Sequence, residues 1–224
     1  MASPYFGKAT FDFLADLAAH NDRDWFAAHK ADYESAVKEP ALRFIQDFTP
    51  HLEALSPHFH AGPRSLFRIH RDTRFSNDKR PYKTHTGIHF RHAADRDVHK
   101  PGFYLHIEPE GCFAGLGIWR PDAPTLRAVR EHMAENPDGW LAATGSPPFS
   151  DRFSLEGDRL SRAPKGFDPD HPLADDLKWK DFLGTRPLER SFVASPRLPE
   201  ELGQLFRAGS AFMSYLCAAV GVAF

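Results

Sequence analysis

The stretch FYLHIEPEGCFAGLGIW, residues 103–119, decides the fold. Residues 103–107 and 112–119 read as two strand-like runs. Glu108-Pro109-Glu110-Gly111 between them is a turn sequence, so the pair predicts an antiparallel hairpin. Upstream, residues 66–75 alternate in character. Phe67, Ile69 and Phe75 fall on one face, and Arg68, His70, Asp72 and Arg74 on the other. Residues 84–90 alternate again. Three or four antiparallel strands are expected across this middle third.

The flanks carry a helical period. Thr10 is placed to cap a helix bearing Phe11, Phe13, Leu14 and Leu17. His20-Asn21-Asp22 ends it, and Asp22 or Asp24 caps a second helix with Phe26, Tyr33 and Val37. Pro40 suits the first turn of a third, with Leu42, Ile45, Phe48, Leu52 and Leu55 inward. Residues 124–136 read as a helix ended by Asn136-Pro137-Asp138-Gly139. A strand is expected at 153–161, a short helix at 173–182 and a short strand at 191–195. From Pro199 one last helix runs through Leu202, Leu205, Phe206, Gly209, Phe212, Met213 and Leu216. Helices, then strands, then helices again predict an α+β domain. Its central, mainly antiparallel sheet is flanked by the N-terminal helices and the C-terminal helix.

The chain has 224 residues, which favours one domain over 1–224. Its net charge of −2 argues against a surface built throughout for nucleic acid. Two cysteines, Cys112 and Cys217, make no disulfide framework. The N-terminal MASPYFGKATFDF carries no signal-peptide pattern, and residues 211–224 are too short an apolar run to span a bilayer. A cytoplasmic protein without a membrane segment is expected.

Charge concentrates in RSLFRIHRDTRFSNDKRPYK, residues 64–83, which holds seven cationic side chains and two carboxylates. On a strand, alternate residues stand roughly 6.5–7 Å apart, a spacing at which arginine forks can hold a phosphate or carboxylates. Arg68, Arg71 and Arg74, helped by Lys79 and Lys83, are therefore the candidate contacts for a small anionic ligand. Asp72 is the residue expected to orient the arginines. Tyr82, His85 and Asp72 are the candidate acid–base groups. Two other readings use the same residues. One is a non-enzymatic module that docks nucleic acid or an acidic protein through the basic strip. The other is an ion-pair network with a purely structural role, since exposed pairs contribute little.

The string RDTRFSNDKRPYKTH, preceded by FRIH and followed by GFYLHI and GLGIW, resembles a family of uncharacterised bacterial and fungal proteins, domain of unknown function 2461. The resemblance extends over FLADLAAHNDRDWFAAHKADYESAVKEP and PKGFDPDHPLADDLKWKDF, nearly the whole chain. Where that family leads one to expect two adjacent Asn residues before the Trp-Phe pair, this chain has Asn21 and Asp22. The resemblance implies a shared fold and a shared site, and no reaction.

Other chemistry finds less support in the residues. Thirteen histidines raise the question of a metal: His85 and His89 would share a strand face, with His70 and His106 on neighbouring strands. No metal-binding spacing is present and no carboxylate is fixed beside them by sequence, so neither a metal nor a cofactor is expected. There is no G-x-S-x-G, and neither cysteine sits where a nucleophile would. Gly115-Leu116-Gly117 lies inside a strand-like run, where small residues permit close approach of sheet or ligand. Trp25 and Trp119 are candidates for core or pocket wall, with core preferred.

Overall fold

The computed structural model describes residues 4–94 and 100–224. The chain is α+β. Six antiparallel strands form one sheet: β1 (Phe59–His60), β2 (Thr86–His92), β3 (Gly102–Ile107), β4 (Cys112–Ile118), β5 (Ser154–Glu156) and β6 (Phe182–Leu188), in the order β1-β2-β3-β4-β6-β5. The expected hairpin is β3–β4, in which Leu105 faces Ala114 and Tyr104 faces Gly115. Across β2–β3, Ile88 faces Leu105 and His89 faces Tyr104.

Alternation divides the side chains between two faces. Ile88, Phe90, Phe103, Leu105, Ala114, Leu116, Ile118 and Phe182 point to one side, and all are buried. Helices cover that side. Phe48 of α3 (Glu39–Glu53) lies 4.8 Å from Phe90, ring to ring, and Phe206 of α6 (Leu198–Ala208) lies 4.9 Å from Phe103. Trp140 of α5 (Pro137–Gly145) and Phe212 of α7 (Ser210–Ala219) close the far end, 5.8 Å apart. With α4 (Ala123–Glu135), these helices and the sheet enclose the main core. The opposite face carries glycines, histidines and Tyr104, and it is this face that stays open.

The first helices behave largely as their residues dictate. The helix α1 (Lys8–Ala19) starts at Gly7 rather than Thr10, and Gly7 N donates back to Thr10 Oγ1 at 3.2 Å. Asp22 caps α2 (Arg23–Ala28), accepting from the backbone N–H groups of Asp24 and Trp25. A π-helical turn over Glu34–Lys38 precedes α3. There the Thr10 hydroxyl takes the Ala36 carbonyl at 2.7 Å, the kind of side-chain insertion that disturbs a helical ladder. On α3, Ala41 and Phe44 are buried, whereas Leu42, and Leu55 just beyond the helix end, are only partly so.

Several expectations are corrected. Residues 66–75 are not a strand. Leu66 bridges Ile88, His70 bridges Tyr82, and the rest is loop. Asp72 and Asp78 are the cause: each carboxylate accepts the backbone N–H two residues on, a side-chain turn that competes with sheet pairing. The sequence Asn136-Pro137-Asp138-Gly139 does not merely stop a helix. Asn136 caps a further one, its Oδ1 accepting from Gly139 N. The helix expected at 173–182 is only a 3-10 turn, Asp176–Lys178, and the strand expected at 191–195 is a helical turn, Arg190–Val193. The strand β6 occupies Phe182–Leu188, beside β4. The last helix is two, broken at Gly209, where a Cβ would collide with Leu116 of β4. No helix among the described residues is long and apolar enough to cross a membrane.

Candidate functional site

The open sheet face holds a cavity of about 590 Å³. Its floor is a checkerboard fixed by register. One row across the sheet is His89, Tyr104, Gly115 and Thr185, and the next, from Arg91, holds Gly102, Gly117 and Leu183. Phe67, from the loop before β2, forms a wall, its ring 6.0 Å from His89 and 6.1 Å from Tyr104. Trp119, 47% exposed, stands at the rim rather than in the core, beside exposed Glu156. The glycines make the room: a Cβ on Gly87 would come within 2.5 Å of the Tyr104 hydroxyl, and one on Gly102 would strike His89. Gly117, at φ 125°, adopts backbone that an L side chain strains to reach.

Two polar groups of the lining lack the partner their chemistry asks for. Lys83 donates to the Arg68 carbonyl at 2.9 Å and lies 5.1 Å over the Phe67 ring. No carboxylate pairs with it among the described residues. Burial, then the nearby Arg68 charge, lowers the pKa of its ammonium. The Thr185 hydroxyl, on a residue 8% exposed, has no hydrogen-bond partner among the described residues. Buried hydroxyls are usually satisfied, so an orphan facing a cavity marks a place for something else to bind.

At one end of the cavity the side chains form a chain of contacts. The Tyr104 hydroxyl meets His106 Nδ1 at 3.0 Å, and His106 Nε2 meets Glu108 Oε2 at 3.2 Å. The Thr84 hydroxyl donates to Glu108 Oε1 at 3.2 Å, and Phe113 stacks on His106 at 4.6 Å. His85 lies 4.4 Å from His106, ring to ring, and lines the cavity. Strand geometry explains the meeting: β2–β3 pairs Thr86 with Ile107, so continuing the register by one residue sets His85 beside Glu108. Burial, then the His106 ring, depresses His85 to about 4, leaving it neutral at pH 7. Burial lowers His106 too, opposed by Glu108, and burial raises the Tyr104 phenol. Between His106 Nε2 and Glu108 Oε2, 3.2 Å apart, a proton can sit on the line, or a cation to one side of it, towards His85. The first gives a Tyr–His–Glu proton relay that reaches the cavity at Tyr104.

The arginine segment lies elsewhere. Asp72 takes Arg74 in a two-point pair, Oδ1 to Nε at 3.0 Å and Oδ2 to Nη2 at 2.7 Å. Asp78 repeats the arrangement with Arg80 and also accepts Arg71 at 2.6 Å. The Arg74 hydrogen bonds hold the Asp72 carboxyl down at about 2. Lys79 ties the loop through the Thr73 carbonyl, and Arg68 is exposed. None of Arg68, Arg71, Arg74 and Lys79 lines the cavity; of the proposed ligand contacts only Lys83 does. Among the candidate acid–base groups, His85 lines it, whereas Asp72 is engaged with Arg74. Tyr82 is 6% exposed and stacks on Phe26 at 4.1 Å. Its backbone is clamped by Asn21, whose Nδ2 donates to Tyr82 O and whose Oδ1 accepts from Tyr82 N, each at 3.0 Å.

Sequence reasoning placed His85, His89 and His106 on neighbouring strand faces but missed Tyr104, Thr185 and Glu108. The available signal was the run of small residues Gly115 and Gly117 on the face that bears Tyr104.

No curated protein and no solved structure matches the chain. A family model described as "Conserved hypothetical protein (DUF2461)" matches residues 9–215, nearly the whole length, in agreement with the resemblance carried by RDTRFSNDKRPYKTH. The chain belongs to the DUF2461 family.

Proposed function

We propose that the cavity on the open sheet face binds a small molecule with a flat, largely apolar body and an anionic group. The observation that carries this is Lys83, an ammonium in the cavity wall with a carbonyl partner and no carboxylate. Thr185 offers a second polar contact. Phe67, Tyr104, Phe113 and Trp119 supply faces for a ring, and about 590 Å³ is the size of a metabolite site. The expectation of an anionic ligand is thereby kept and moved, from the arginines to Lys83. The arginine loop is assigned a structural part: its Asp-x-Arg turns shape the segment that delivers Phe67, Lys83 and His85. A cytoplasmic location belongs to the same proposal, in keeping with the two buried free thiols.

A thermal-shift screen of aromatic carboxylates and aryl phosphates tests the reading. Ligands that stabilise the wild type should bind Lys83→Met about 10–100-fold more weakly, the worth of one charge-assisted hydrogen bond. They should bind Arg74→Ala unchanged. Ligands indifferent to Lys83→Met and lost on Arg74→Ala would return the site to the loop.

A further inference from the structure

The geometry points to a second site beyond the ligand reading: we propose that His85, His106 and Glu108 bind one divalent first-row transition-metal ion. One donor atom from each lies within 4.8 Å of the others. Three donors around an ion at about 2.1 Å stand roughly 3.4 Å apart in a tetrahedron; His106 Nε2 and Glu108 Oε2, 3.2 Å apart, already meet that spacing, so His85 is the donor that has to draw in. Two imidazoles and one carboxylate are a donor set for zinc, iron or cobalt rather than magnesium or calcium, which prefer oxygen.

Two further observations favour an ion over a plain His–Glu hydrogen bond. No described residue hydrogen-bonds the His85 ring, although it is half-buried and faces the His106–Glu108 pair. The outer contacts that metal ligands need are already present. Tyr104 meets the far nitrogen of His106, and Thr84 holds the second oxygen of Glu108. With Nε2 on an ion, His106 Nδ1–H would donate to the Tyr104 oxygen and free the phenol proton to turn towards the cavity. Three protein ligands leave at least one coordination position open, the arrangement of sites that act on a ligand rather than only staple a fold. His85 lines the cavity, so a ligand there would meet the ion from that side.

The test uses tag-free full chain stripped with a chelator and titrated with zinc chloride by calorimetry. Cobalt chloride is used in parallel to read coordination from visible absorption. One equivalent should bind. His85→Ala and Glu108→Gln should each weaken zinc by about 100-fold or more. Thr84→Val should weaken it by about 10-fold, as expected for loss of an outer contact. His70→Ala, exposed and outside the cluster, should leave binding unchanged. If His106→Ala fails to fold by circular dichroism, His85→Ala and Glu108→Gln carry the result. Absence of a one-equivalent site, or zinc binding that survives both substitutions, overturns the proposal. Aryl carboxylate binding to the stripped protein, with and without Lys83→Met, reports on the ligand pocket separately.

Discussion

Asn21 uses both ends of its amide on one residue, the backbone of Tyr82. The contact pins the start of the arginine segment's return to the first helices, and Tyr82 stacks on Phe26 behind it. Asn21→Ala should destabilise the fold by about 1–3 kcal/mol in urea unfolding, because two partly buried backbone groups lose their partner. Arg74→Ala, by contrast, should melt with the wild type, since Arg74 is exposed and its pair with Asp72 is bathed in solvent. The sequence shows the arginines plainly and conceals their geometry. A spacing of two reads as a strand face. Yet Asp72-Thr73-Arg74 and Asp78-Lys79-Arg80 use the same spacing for local turns, in which the Asp side chain captures both the amide and the guanidinium of the Arg. The neighbouring Asp22, standing where the family leads one to expect a second Asn, is occupied in capping α2.

Among the elements, β6 is held in place by what precedes it. Asp181 is 7% exposed and accepts the backbone N–H of Arg120 at 2.7 Å and of Asp158 at 3.0 Å. It thus ties the end of β4 to the turn after β5 and supports Arg120 at φ 47°. Asp181→Ala strands two amides, at about 1–3 kcal/mol each, so a loss of about 2–6 kcal/mol is expected by urea unfolding. A loss below 1 kcal/mol would show that water replaces the carboxylate freely. The strand was hidden because FLGTRPL, residues 182–188, has Gly184 and Pro187 where a strand usually carries side chains and amides. Gly184 fits since a Cβ would press on Phe149 at 2.9 Å. The hairpin at 103–119 was readable because its turn lies between two uninterrupted β-forming runs, and both strands formed within a residue of expectation.

At the scale of the whole molecule, one face of the sheet is sealed by helices and the other is lined by glycine, histidine and tyrosine around a cavity. Burial follows the same division. Cys217, fully buried under the helices, has its thiol pushed up to about 12 by burial, and Cys112 is shifted upward for the same reason. Neither should react with an aromatic disulfide reagent at pH 8 until denaturant is added; stoichiometric labelling of the native protein would contradict this packing. The candidate site was only half legible in the sequence. Which residues share a face follows from period two. Which faces meet, and where Glu108 and Thr185 fall, depends on register across four strands. Occlusion of the cavity tests its role most directly. Gly115 sits on the floor at ordinary φ, and an added Cβ meets Phe113 and Tyr104 at 3.8 Å, normal contact. Gly115→Val should therefore fold with stability within about 1 kcal/mol of wild type, a β-branched residue suiting a strand. In calorimetric titration with an aryl carboxylate that binds the wild type, it should show no binding. Wild-type affinity in Gly115→Val, together with its loss in Arg71→Ala and Arg74→Ala, would contradict the cavity as the functional site.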